Sequence, residues 1–320
     1  MILITGCAGF IGFHLACKLL KQKNEVLGID NFSIYYDKNL KKKRLKILKS
    51  FNNFTFLKQD LKNFRDLKIK LKKKKIETLI HLAAQPGVRI SIKNPHNTLV
   101  QNLNTFSNII EIVRTLNIKK FLYASSSSVY GDTKTFPFTE SDKSNIPVSV
   151  YGATKLCNEV IAESYVRNFN IQAIGLRFFT VYGPFGRPDM AYFSFMNDLK
   201  NNKKITVFNK GDMLRDFTYI DDIILGIEKL ISSKKKFKHT VINLGKGKPD
   251  KLFDLINNIE KFSKKKFSIY FTNAIPNGDI KKTFANTNKA KNLIKWKPKT
   301  NLKQGLSKFI KWYFDYHEVK

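Results

Sequence analysis

The chain is short of acids and of cysteine, and no uninterrupted apolar stretch approaches the roughly 18 residues that a membrane-spanning helix needs. Its three cysteines, Cys7, Cys17 and Cys157, are odd in number and show no CxxC spacing. That argues against a disulfide framework and a zinc site, so no metal is expected and a reducing cytoplasm fits. No basic leader precedes the apolar residues that begin at Ile2, so the expectation is an uncleaved cytosolic protein without membrane insertion.

The shortage of acids leaves 25 Asp and Glu against 58 Lys and Arg, a formal charge of +33. Such a charge suits nucleic acid, an anionic membrane surface or anionic small substrates. The lysine runs, at Lys41 to Arg44, Lys72 to Lys75, Lys234 to Lys236 and Lys264 to Lys266, are scattered and carry no aromatic platform for stacking bases. Nucleic acid is therefore not expected as a partner. Lys, Asn, Ile and Phe are all abundant and have A/T-rich codons, which accounts for the bias without a function. No repeat and no long linker is present, and Lys-rich 38 to 50 is the segment expected to be a mobile surface stretch.

At 320 residues the chain can bury a full core and form two lobes. An apolar run at Ile2 to Thr5, a glycine turn, a helical pattern over Phe10 to Gln22 and a second run at Glu25 to Ile29 make one βαβ unit. Runs at 55–57, 78–82, 121–124 and 171–176 then alternate with helical patterns at 64–71, 99–116 and 150–168. This predicts an α/β, Rossmann-type doubly wound parallel sheet with a smaller α/β substrate-binding lobe. The NAD-binding domain is expected over 1–176, with a return around 214–246, and the substrate lobe mainly over 177–320.

The turn GCAGFIG follows a strand and opens a helix. Gly6 permits the tight turn, Gly9 lets backbone approach a pyrophosphate, and Gly12 lets helix pack on strand. The helix N-terminus then faces the phosphates. Asp30 ends the second strand, where a carboxylate accepts from a ribose and repels a 2′-phosphate, so NAD is favoured over NADP. Asp60, after the third strand, is a further candidate for the adenine end. The cluster from Lys38 to Arg44 would welcome a 2′-phosphate, but Asp30 is nearer.

Pro147 and Ser149 mark the start of a helix that carries Tyr151 and Lys155 one turn apart on one face. A free phenol, with a pKa of about 10, is too weak a base at neutral pH, and a nearby ammonium favours its ionised form. The run SSSSVYG at 125–131 brings hydroxyls to the carboxyl edge of a parallel strand, where ligands bind in such sheets.

With HLAAQPGVR at 81–89, RFFTVYGPFGRPDMA at 177–191 and RDFTYIDD at 215–222, these motifs resemble the extended short-chain dehydrogenase/reductase family. The likeness is to its NAD-dependent nucleotide-sugar epimerases, nearest to the bacterial UDP-glucuronate 4-epimerase group, which Tyr35 to Asp37 and Gly87 to Arg89 also match. The resemblance implies contacts to tightly held NAD from Gly6, Gly9, Phe10, Ile11, Gly12, Asp30, Asp60, Leu61, Ala83, Tyr151 and Lys155. It implies Ser126, Tyr151 and Lys155 as the catalytic set: Tyr151 removes the 4-hydroxyl proton, C4 gives a hydride to NAD, and the 4-keto sugar turns over to be reduced on its other face. Ser127 and Ser128 stand where related dehydratases place an Asp-Glu pair, so elimination chemistry is not expected.

For a UDP-sugar, Arg215 is the candidate for the diphosphate and Arg187 for a C6 carboxylate, with Ser127, Ser128 and Thr180 as hydroxyl donors. Asp216 and Tyr219 read as either structural or functional, and Asp221 and Asp222 as caps of the following helix. Alternatives on the same chassis are a UDP-glucose or UDP-N-acetylglucosamine 4-epimerase, a C5-epimerising variant and a UDP-glucuronate decarboxylase. A different class is a non-catalytic NAD-binding protein with a basic interaction surface. Family members are often homodimers packed through helices such as 99–116 and 150–168.

Overall fold

Seven short apolar runs become the strands of one parallel sheet. They are β1 (Ile2–Thr5), β2 (Val26–Asp30), β3 (Phe54–Lys58), β4 (Thr78–His81), β5 (Lys120–Ser126), β6 (Ala173–Phe178) and β7 (His239–Leu244). Their order is β7-β6-β5-β4-β1-β2-β3, and every neighbouring pair is parallel. The computed structural model describes residues 1–142 and 146–318.

Strands β1, β2 and β4 are buried along their whole length, as continuous apolar strands between two layers of helices should be. One face is covered by Phe10–Lys21 and Ile220–Ser232, whose Leu15, Leu19, Ile223 and Ile227 share a core. The other is covered by Phe64–Leu71, Thr105–Thr115 and Val150–Asn168, through Leu67, Phe106, Ile110 and Ala162. The chain reverses between β1 and β4, and a crevice opens there at the carboxyl edges of the strands.

Past β6 the chain builds smaller pieces. Thr180–Tyr182 pairs with Phe217–Tyr219, Ile205–Val207 with Ile269–Phe271, and Leu214–Arg215 with both Asp250–Lys251 and Lys282–Thr283. Helices Ala191–Lys200, Leu252–Ser263 and Leu302–His317 cover them. Between these pieces the chain returns to the main sheet as β7.

Three expectations need correction. Residues 38–50 are not an irregular surface stretch: Lys38–Lys49 is a helix, capped by the Asp37 carboxylate, that buries Leu40, Leu48 and even Lys41 and Arg44. Its lysines hid an apolar stripe at helical spacing. The pattern over 99–116 is helical but broken, with Pro95–Leu99, a wide π turn at Val100–Asn104 and then Thr105–Thr115. Asp221 and Asp222 do not cap their own helix by side chain: Tyr219 is its N-cap, and Asp222 instead accepts from the Lys299 and Thr300 N–H groups at 3.0 and 2.9 Å. The carboxylates still sit in the first turn, where the helix dipole favours them.

Candidate active site

At the end of β1 the backbone turns at Gly6 with φ of +72°, where a Cβ would lie 2.8 Å from the Ala83 nitrogen. At Gly12 a Cβ would come within 2.2 Å of the Gly6 carbonyl oxygen. Both contacts are impossible for a larger residue, so Gly6 sets how closely the turn approaches the segment after β4 and Gly12 how closely the first helix approaches the turn. The first helix starts at Phe10 with Gly9 as N-cap and no side chain on its first amides, leaving them for an anion. At the end of β2, Asp30 accepts from the Ala8 N–H at 3.1 Å and the Phe32 N–H at 2.8 Å. Carboxylate oxygens have more than one lone pair, so acceptor capacity remains for a ribose. A glycine cradle, bare amides and a terminal carboxylate fit NAD.

The catalytic candidates come from β5 and the helix after it. Ser126 ends β5, and its Oγ accepts from the Ser128 N–H at 3.1 Å and donates to the Ser128 Oγ at 3.1 Å. The Ser149 hydroxyl caps the helix Val150–Asn168 by accepting from the Gly152 N–H at 3.1 Å, which fixes Tyr151 and Lys155 on adjacent turns. The Lys155 ammonium donates to the Ala124 carbonyl at 3.0 Å and sits 5.9 Å from the centre of the Tyr151 ring. Burial brings Lys155 down to about 8.

Burial likewise pushes the Tyr151 phenol up, opposed by the charge of Arg187 and a hydrogen bond with Ser126. The Lys155 ammonium expected to ease Tyr151 ionisation stands 5.9 Å from the centre of that ring. The ammonium is engaged on a carbonyl, and Arg187 exerts the favourable charge.

Arg187 itself is not free. Its Nε and Nη2 fork onto Asp189 at 3.1 and 2.5 Å, and Tyr35 donates to the same carboxylate at 2.8 Å. Sequence reasoning missed this trio, although Asp189 stands two residues on in GRPD and Tyr35 in the quoted Tyr-Tyr-Asp. The fork leaves Nη1 for a ligand. Arg215 donates to the Leu214 and Lys281 carbonyls at 3.1 and 3.0 Å. Near it Arg89, held to Asp279 at 3.0 Å, lies 5.1 Å over the Phe208 ring. Asp216, by contrast, is fully buried and accepts from the Lys246, Gly247 and Ala285 N–H groups and the Thr218 hydroxyl. It is structural.

Asn102, in the π turn, was also missed. It accepts from the Gln85 N–H at 2.7 Å and donates to the Thr154 hydroxyl at 3.0 Å, tying the loop after β4 to the catalytic helix. Wide turns often mark such sites.

All the cofactor, catalytic and substrate candidates line one continuous cavity of about 1620 Å³. It runs from Gly6, Gly9, Phe10, Ile11, Gly12, Asp30, Asp60, Leu61 and Ala83, past Ser126, Ser127, Ser128, Tyr151 and Lys155, to Thr180, Arg187 and Arg215. Among the described residues no group of three His, Cys, Asp or Glu is placed to hold a metal, and no helix is long and apolar enough to cross a membrane.

A doubly wound sheet with a glycine cradle at its switch point and a Ser, Tyr and Lys cluster beside it defines an NAD-using enzyme. The chain belongs to the NAD dependent epimerase/dehydratase family, which it matches over residues 2–245. It is 42% identical to protein CapI of Staphylococcus aureus, over 99% of both chains. It is 39% identical to UDP-glucuronate 4-epimerase 4 of Arabidopsis thaliana, over 99% of this chain and 76% of that one. The crystal structure of UDP-glucuronic acid 4-epimerase from Bacillus cereus in complex with UDP-glucuronic acid and NAD superposes with a TM-score of 0.92. Identity there is 36%, covering 98% of this chain and 99% of the other. The cofactor is NAD and the reaction class is isomerisation, as for these relatives.

Proposed function

We propose that the protein epimerises UDP-glucuronate at C4 to UDP-galacturonate, with Tyr151 as the base. The observation that carries the choice of substrate is Arg187, which lines the Tyr151 cavity and is close enough for its charge to favour the phenolate. A C6 carboxylate finds the remaining Arg187 N–H groups and the hydroxyls of Ser127, Ser128 and Thr180. The names of the relatives support the same reading.

Bound NAD would supply the hydride acceptor and donor for C4. Its diphosphate is held at Gly9 to Gly12, its riboses at Asp30 and Lys155, and its adenine near Asp60 and Leu61. Tyr151 takes the proton from O4 and later returns it, while Ser126 hydrogen-bonds both oxygens. Arg215, with Arg89 beside it, anchors the UDP diphosphate while the sugar turns about it. Residues 1–176 with the return at 214–246 mainly serve the cofactor, apart from Arg89, Ser126, Ser127, Ser128 and Arg215, which face the UDP-sugar, and the rest of 177–320 mainly serves the sugar. We further infer a homodimer through 105–115 and 150–168, whose Val160 is 63% exposed, checked by light scattering.

The test is proton NMR of purified protein with UDP-glucuronate. Galacturonate signals are expected, and their absence while UDP-glucose or UDP-N-acetylglucosamine is epimerised would overturn the choice of sugar. Tyr151→Phe is expected to keep NAD and lose most turnover; full turnover would remove Tyr151 as base.

A further inference from the structure

A second arginine lies behind the first. Arg44, on the helix Lys38–Lys49, is wholly buried and meets no carboxylate among its hydrogen-bond partners. Its Nη1 donates to the Ala8 carbonyl at 2.8 Å and the Tyr36 hydroxyl at 2.7 Å. Its Nη2 donates to the Phe185 and Gly186 carbonyls at 2.6 and 3.0 Å, while Nε is buried without a partner. Desolvating a cation for neutral acceptors is costly. One planar group thus binds the glycine turn to the loop that ends in Arg187.

Other contacts fix that loop at the same place. His14 hydrogen-bonds the Pro184 carbonyl at 2.9 Å. Phe185 takes φ of +52° and packs on Phe13 and Trp312 with ring centres 5.0 and 4.9 Å apart. A non-glycine residue in that conformation needs its surroundings to hold it. Gly186 lies against Tyr192, whose hydroxyl would be 1.9 Å from a Cβ.

We propose that Arg44 is a positioning residue that sets Arg187 for the substrate carboxylate by clamping its loop to the cofactor turn. Ala8 donates to Asp30 through its N–H while its carbonyl receives Arg44, so the residue that helps to order the ribose carboxylate also locates the sugar-reading arginine. The proposal rests on the uronate reading above. Lysine keeps the charge but cannot span four acceptors from one plane.

The experiment compares Arg44→Lys with wild type on UDP-glucuronate and on a neutral UDP-hexose, after NAD content and Tm are measured. The expected result is a KM for the uronate raised about tenfold or more, with kcat little changed, NAD retained and the neutral sugar barely affected. Equal effects on both sugars, or a lower Tm with KM unmoved, would overturn the role. Should Arg44→Lys not fold, Tyr36→Phe removes one acceptor hydroxyl and is read by the same comparison at smaller amplitude. Hydrogen exchange separates this idea from the choice of sugar: amides of Phe185, Gly186, Arg187 and Asp189 should exchange faster in the variant even if wild type epimerises no uronate. Unchanged exchange would count against the clamp alone.

Discussion

Tyr151 has two cationic neighbours, and they act differently on it. Because Arg187 lowers the phenol pKa and burial raises it, removing the guanidinium should move the rising limb of kcat against pH to higher pH. We expect Arg187→Gln to show that alkaline displacement as well as a higher KM for UDP-glucuronate. An unmoved profile with only KM raised would confine Arg187 to binding. His81 gives an independent test of burial. Its imidazole, joined to the Thr5 hydroxyl at 2.8 Å, is brought down to about 3 by burial, with Lys155 adding. The unfolded imidazole titrates near 6.5, so the unfolded chain binds the extra proton between those values, and stability falls as pH drops through them. One such group contributes a slope of about 1.4 kcal/mol per pH unit. Denaturant unfolding of His81→Asn should show a shallower loss between pH 6 and pH 4 (roughly that window), and an equal slope would deny the assignment.

Motifs whose chemistry depends on spacing along one element were legible in the sequence. The glycine turn, Asp30 at a strand end, and Tyr151 with Lys155 on one helix face each follow from a local period. The meeting of Arg187 and Tyr35 on the Asp189 carboxylate was not legible, since Tyr35 lies 154 positions from Asp189. The Lys38–Lys49 helix was misread because charge outnumbers apolar residues in it, although Leu40, Arg44, Leu45 and Leu48 share its inner face. The break at Val100–Asn104 left no signal because its apolar spacing is that of an ordinary helix. The tightest element-level constraint is the approach of the first helix to β1. Gly12→Ala puts a methyl 2.2 Å from the Gly6 oxygen, so the purified variant should contain little NAD and unfold at lower temperature. Normal NAD content would show that the turn relaxes freely.

Over the whole molecule the fold class and the succession of strands and helices along the chain were readable because strand and helix alternate along the first half. The second lobe was not, because its strands are two or three residues long and pair across large separations, as when Leu214–Arg215 meets Lys282–Thr283. The formal charge of +33 acts at this scale too. Like charges spread over one surface repel, and salt screens them within roughly 10 Å at 0.1 M. Thermal scans from low salt to about 0.3 M sodium chloride should show a rising Tm. A flat or falling Tm would mean that local ion pairs outweigh the net repulsion.

The late return of β7 to the sheet bears on how the chain is made. β6 ends at Phe178 and its outer partner β7 begins only at His239. Synthesis at about 5–20 residues per second leaves the edge of β6 unpaired for roughly 3 to 12 seconds while the intervening residues leave the ribosome. During that interval the nascent chain presents a buried-type apolar strand with open hydrogen bonds, a template for a neighbouring chain on the same message. The demand for a chaperone should thus peak between the emergence of β6 and that of β7.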